Sequence, residues 1–231
     1  PEMVSLNISS SAGNESSVYF RFHYEGEWDY ATMIDDVSFS ETPDNELLFT
    51  SESFGGWWLG YQTLGDLGAD YTFYPMAQAA ANPYRLEGVL RNTGIQTQTN
   101  AVMHVDVEDE NGSVTVFSSS PTSILMGQND TVATTSTFLP PNMGLYNMSF
   151  WATSDSFPTT DTVTRSAIVT DTVYAVDYDW NSDGANASGY SYLSRPLCGQ
   201  VLANVFDVYA NSTVTSISFH ISDQSVAGGD V

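Results

Sequence analysis

The sequence predicts an all-β protein made of tandem antiparallel β-sandwiches. Three observations carry that expectation. Apolar residues recur with period two along many short runs, the spacing that turns one face of a strand onto a core. Gly, Pro, Asn and Asp punctuate those runs often enough for hairpins rather than crossover helices. Only "MAQAAAN" (76–82) has helical composition, and it is short and halts at Pro83.

The first expected strand is "SVYFRFHYEG" (17–26), which sets Val18, Phe20, Phe22 and Tyr24 against Tyr19, Arg21 and His23. A second strand is expected in "ATMIDDVSFSE" (31–41). Two strands do not make a stable domain, so residues 1–42 are expected to close a sandwich. Residues 43–82 turn acidic, then aromatic and Gly-rich, and are expected to form a connection. The complete sandwich is expected over residues 83–170. There Met103, Val105 and Val107 share one strand face, with His104, Asp106 and Glu108 on the other. Asn111-Gly112 supplies a hairpin turn, and Val114 and Val116 return on the next strand. "LPPNMGLYNMSFWATSD" (139–155) turns at its prolines and then alternates Tyr146, Met148 and Phe150. The expected core is Leu86, Val89, Val105, Val107, Val116, Tyr146, Met148 and Phe150. From Asp171 a further sandwich is expected to begin, over 171–231. Within it "FDVYANSTVTSISFHISD" (206–223) has the pattern of a hairpin with Asn211-Ser212 at its tip.

Charge narrows the partners. The 231 residues carry 28 acidic and 5 basic side chains, a formal net charge of −23, and every basic residue is arginine. Such a polyanion repels nucleic acid and anionic lipid, and no apolar run is long enough to insert into a membrane. With 42% hydrophobic and 13% aromatic residues, a disordered acidic tail is excluded. Cys198 is the single cysteine, so no disulfide forms within the chain, and a buried structural thiol is expected. Pro1 at one end and Gly-Gly-Asp-Val at the other lead us to expect a piece of a longer protein.

Several stretches resemble a known architecture. "YFRFHYEGEWDYATMIDDVSFSE" resembles the last strands of MAM-like jelly rolls in secreted proteins of Bacteroidetes. "GWWLGYQTLGDLGADYTFYPMAQAAANPYRLEGVLRNTG" resembles the connection that comes next in such proteins, and leads into an immunoglobulin-like module carrying "GVLRNTG" and "LPPNMGLYNMSF". "VYAVDYDWNSDG" and "FDVYANSTVTSISFHI" resemble the start of a further jelly roll. The resemblance implies an extracellular multidomain protein delivered by type IX secretion machinery, through a sorting domain outside this sequence. It also implies O-glycans at Asp-Thr/Ser followed by a small apolar residue. Asp130-Thr131-Val132, Asp161-Thr162-Val163 and Asp171-Thr172-Val173 match, making Thr131, Thr162 and Thr172 the expected sites. Asn-x-Ser/Thr triplets, which begin at Asn7, Asn14, Asn111, Asn129, Asn147, Asn186 and Asn211, are then incidental to composition.

Calcium is the one cofactor the sequence offers. "DYDWNSDG" (177–184) alternates Asp177, Asp179, Asn181 and Asp183 and ends in Gly184, and such a loop can supply several oxygens. In the EF-hand frame the twelfth position is Tyr190 rather than Glu, so a looser calcium loop and a solvated acidic turn stay as alternatives. Asp35-Asp36 is the second acidic pair: Ile34 and Val37 have opposite strand parity, so one carboxylate is expected to point inward toward a hydrogen bond or a cation. Trp57, Trp58 and Tyr61 crowd a Gly-rich stretch with Tyr71, Phe73 and Tyr74. Exposed, they would stack on sugar rings as a carbohydrate-binding face; buried, they would join one module to the next, which we favour. The histidines His23, His104 and His220 fall on separate strands, and no HExxH, Gly-x-Ser-x-Gly or phosphate loop is present. The expected function is a non-catalytic extracellular spacer, adhesion or assembly module with a glycan or protein partner at the cell surface. The alternatives are an accessory region of a secreted protease or glycosidase, or a carbohydrate-binding module.

Overall fold

The computed structural model describes residues 6, 8–13, 15–23, 37–38, 41–54, 70–175 and 206–218. A single helical turn, α1 (Ser9–Ala12), precedes β1 (Leu47–Ser53), β2 (Phe73–Pro75) and α2 (Met76–Ala81). Then come β3 (Glu87–Asn92), β4 (Gln98–Asp109), β5 (Val114–Ser118), β6 (Thr122–Ile124), β7 (Asn129–Ala133), β8 (Gly144–Thr153) and β9 (Val163–Thr170). The strands form a three-stranded sheet, β1-β3-β7, and a six-stranded sheet, β2-β9-β8-β4-β5, with β6 also on β4. Neighbours are antiparallel except β2 and β9. The described chain is thus an all-β, immunoglobulin-like sandwich with little helix.

β4 and β8 form the spine because both carry long, unbroken alternation. They pair from Val102↔Thr153 to Asp109↔Tyr146. Met103, Val105 and Val107 on β4, with Tyr146, Met148, Phe150 and Ala152 on β8, are buried between the sheets. Leu47, Leu86 and Leu90 cover them from the facing side. Gly88 on β3 permits this approach, since a Cβ there would lie 2.6 Å from Phe49 Cζ and 2.8 Å from Met103 Sδ. Arg165 on β9 pairs with Glu52 on β1, joining the two sheets at their margin.

The ends are tied by hydrogen-bonded polar groups. Buried Asn92 donates through Nδ2 to Gln96 O (2.8 Å) and Ile124 O (2.9 Å), and its Oδ1 accepts from Gly94 N (3.0 Å). At the far end Gly112 takes φ +81° in the β4–β5 hairpin. Tyr146 Oη donates to Asn142 O (2.8 Å), a tyrosine corner that fixes the turn into β8.

Four expectations need amending. β1, β2 and α2 come from the 43–82 stretch expected to be a connection, so the sandwich begins well before residue 83. A register shift between Phe49 and Ser51 interrupts the alternation of β1. Val116 is 65% exposed rather than core, because it faces Asp106 on the outer side of β4, and Phe117 takes the inward position opposite Val105. Residues 17–23, expected as strand, make no ladder among the described residues, where Tyr19 is 95% exposed. Residues 206–218, expected as part of a hairpin, also carry no strand. Their main chain bonds instead to side chains of the sandwich.

The chain enters the sandwich at one end and leaves at the other. Leu47 opens β1 opposite Asn92, at the end where β3 stops and β4 starts. Residues 44 and 46 accept main-chain bonds from Gln96, Thr93 and Gly94 at that same end. β9 closes near Val169↔Gly144, at the opposite end beside the start of β8.

Candidate functional site

The leaving end concentrates the unusual chemistry. Here the stretch before β2, β2 itself, the link from α2 to β3 and the segment after β9 bring Tyr71, Tyr74, Tyr84 and Tyr174 together. Tyr71 stacks on Tyr74 (5.2 Å) and meets Tyr174 at 4.7 Å, and Tyr74 meets Tyr84 edge-on at 5.2 Å. Phe138 continues the chain of rings from Tyr84 (6.0 Å) to Tyr146 (5.2 Å), deep in the core. Burial pushes the Tyr74 phenol up to about 12 and raises those of Tyr84 and Tyr174 as well. Tyr74 and Tyr174 use their hydroxyls in hydrogen bonds to main-chain carbonyls, to Asn82 O and Asp207 O, while Tyr84 contributes by packing.

Residues 206–212 lie on this aromatic wall. Phe206 packs on Tyr174 (5.1 Å) and Tyr71 (6.4 Å). Tyr174 Oη donates to Asp207 O (2.9 Å), and Asp207 N donates to Tyr71 Oη (3.4 Å). Gln78, buried in the short α2, completes the seat. Its Oε1 accepts from Tyr209 N (2.7 Å) and Ala210 N (3.0 Å), and its Nε2 donates to Ala210 O (2.9 Å) and Ser212 Oγ (2.7 Å).

Beside this seat is a neck. Asp70 Oδ1 accepts from Ser53 Oγ (2.9 Å) and Phe54 N (2.8 Å), so the chain that leaves at residue 54 returns at residue 70 to the same point. Tyr71 and Tyr74, from the expected aromatic group, are fully buried here. Trp57, Trp58 and Tyr61 lie outside the described residues.

The other expected sites divide in two. Thr131, Thr162 and Thr172 are all exposed, on β7, just before β9 and just after it, and are sterically open to modification. Asp35, Asp36, Asp177, Asp179, Asn181 and Asp183 lie outside the described residues, as does Cys198. Among the described residues no three His, Cys, Asp or Glu side chains gather as a metal site. A cavity of about 120 Å³ beside Asp109, Glu110, Asn142 and Tyr146 is a feature of the hairpin. There Asp109 Oδ1 accepts from Ser113 N (2.8 Å) and Asn111 N (2.9 Å), bonds that hold its carboxyl below the usual range. Its acidity is that of a turn. His104 stacks on Trp151 (5.5 Å) and meets Thr153 Oγ1 (3.0 Å) on the outer face of the spine. No described helix is long and apolar enough to cross a membrane.

Sequence reasoning missed Gln78, Asp70 and Tyr174. Gln78 is the single polar residue of "MAQAAA", a weak signal that one side of that turn meets polar groups.

No family model and no curated protein matches the chain. Among solved structures it is similar to the CARDB domain of a Pyrococcus furiosus protein, at 9% identity over 56% of this chain and 97% of that one, with a TM-score of 0.34. It is also similar to a β-glucuronidase of glycoside hydrolase family 2, at 14% identity over 51% of this chain and 12% of the enzyme, with a TM-score of 0.33. A PapD-like domain of human CEP192 matches at 16% identity over 64% of this chain and 98% of that domain, with a TM-score of 0.28.

Proposed function

We propose that this chain is a non-catalytic spacer module of a larger extracellular protein, secreted or held at the cell surface. The observation that carries this is the path of the chain through the sandwich. It enters beside Asn92 and leaves beside Gly144, so each module adds its full strand length to the particle. With β8 spanning 10 residues, that length is about 33 Å. A sandwich with both chain ends on one side would add little reach. The net charge of −23 keeps such rods apart in solution and leaves nucleic acid a poor partner. The test is a tandem duplication measured by small-angle X-ray scattering. The maximum dimension should grow by roughly 30 Å or more; a duplicated chain no longer than the original means the modules fold back and the spacer assignment is wrong.

A second function rests on the neck at Asp70. The interval between its two ends, 55–69, carries Trp57, Trp58 and Tyr61, side chains that would stack on sugar rings if exposed. Glycan-array binding lost in Trp57→Ala and Trp58→Ala would support a carbohydrate-binding or hydrolase-accessory module; an array blank for the unaltered chain would remove it. Delivery by type IX secretion and O-glycans on Thr131, Thr162 and Thr172 belong to the same proposal. An intact mass from the native source equal to that of the bare chain would dismiss the glycans.

A further inference from the structure

The Gln78 seat goes beyond a spacer. We propose that α2, Tyr71 and Tyr174 form a docking platform that recognises residues 206–212 by their main chain and locks that segment to the sandwich. This deepens the spacer assignment by making the unit stiff as well as long.

The hydrogen bonds of Gln78 carry the proposal. A side-chain amide has two acceptor positions and two donors. All four on Gln78 are used, and every partner lies in 209–212, more than 130 residues away. The residue is buried, and the other residues of its helix are Met and Ala. Without the docked segment its amide would have no described partner, so its burial makes sense only with the segment in place. Tyr71 and Tyr174 repeat the logic, taking the N–H and C=O of Asp207 through their hydroxyls. Five main-chain groups are held this way, the N–H and C=O of Asp207 and Ala210 and the N–H of Tyr209, and a β-ladder is not needed. Side-chain identity enters at Phe206, which fills the space against Tyr174 and Tyr71, and at Ser212. The platform therefore selects a segment led by an aromatic residue and bent at Ala210.

Amide hydrogen exchange on the full chain tests this. In the unaltered protein the Tyr209 and Ala210 amides should be protected. Gln78→Ala should speed their exchange about tenfold or more, since each loses its acceptor, while amides of β4 and β8 keep their rates. In case Gln78→Ala unsettles the sandwich, a second pair acts on the segment itself. Ala210→Pro, which removes the donor, should release the segment as judged by the Tyr209 amide, whereas Ala210→Ser should not. Equal exchange of Tyr209 in Gln78→Ala and the unaltered chain, or equal effects of Pro and Ser at 210, would overturn main-chain docking. Protection that appears only at high protein concentration would assign the segment to a second copy and overturn locking within one chain. The tandem-duplication experiment is independent: the particle can lengthen with or without this lock.

Discussion

Tyr84→Phe should stabilise the protein. Tyr84 is fully buried, and its hydroxyl has no hydrogen-bond partner among the described residues. Its ring is well held by Tyr74 (5.2 Å), Phe138 (6.0 Å) and Phe54 (6.1 Å), contacts that phenylalanine keeps. An orphaned buried hydroxyl costs about 1–3 kcal/mol of desolvation. Against that, removing one oxygen leaves a void of roughly 10 Å³, worth only about 0.2 kcal/mol. The net expectation is a gain of about 1–2 kcal/mol. For a chain of this size that raises the melting temperature by roughly 2–8 °C. Differential scanning calorimetry on both proteins, with urea unfolding as a second measure, decides it. A variant that melts lower by a similar margin would show that the hydroxyl has a partner, and the orphan argument would be refuted.

Four further outcomes are expected. Gly88→Ala should cost about 1–3 kcal/mol in urea unfolding, because its methyl would be driven into Phe49 and Met103; a neutral result would mean the sheets part easily there. Met148→Ala should cost about 2–5 kcal/mol while Val116→Ala stays within about 0.5 kcal/mol, and comparable losses would contradict the placement of Val116 on the outer face. Stability should be full below about pH 10, where unfolded tyrosines begin to ionise, and be lost as pH rises toward about 12, the raised value of Tyr74. A urea midpoint that holds steady from about pH 9 to about 11.5 would argue against those burial shifts. Asp179→Ala should lower the melting temperature with calcium present and change little in chelator; equal shifts in both would make 177–184 an acidic turn.

The spine was legible in the sequence because β4 and β8 alternate over long runs, and a period of two is hard to mistake at that length. Parity on β5 was not legible. Val114, Val116 and Phe117 offer apolar side chains to both faces, and only the pairing with β4 decides which one turns inward. β1 escaped notice because a register shift after Phe49 cuts short the alternation that Leu47 and Phe49 begin, and its flanks have linker composition. The Gln78 seat could not be read from local pattern, since every partner is distant in sequence and most are main chain. The metal, Trp57, Trp58 and Tyr61 expectations fall outside the described residues, and their tests are chemical.

The carboxylate of Asp70 also sets where this protein can change. By gathering Ser53, Phe54 and its own backbone at one point, it separates the register of β1 and β2 from whatever length of chain lies between them. Lengthening a flexible stretch between two points already held together costs only about 0.6 kcal/mol per doubling. Residues 55–69 are therefore a natural graft point. A different peptide spliced between Phe54 and Asp70 should leave the pairing of β1 and β2 unchanged, because both ends of the splice are already held by one carboxylate.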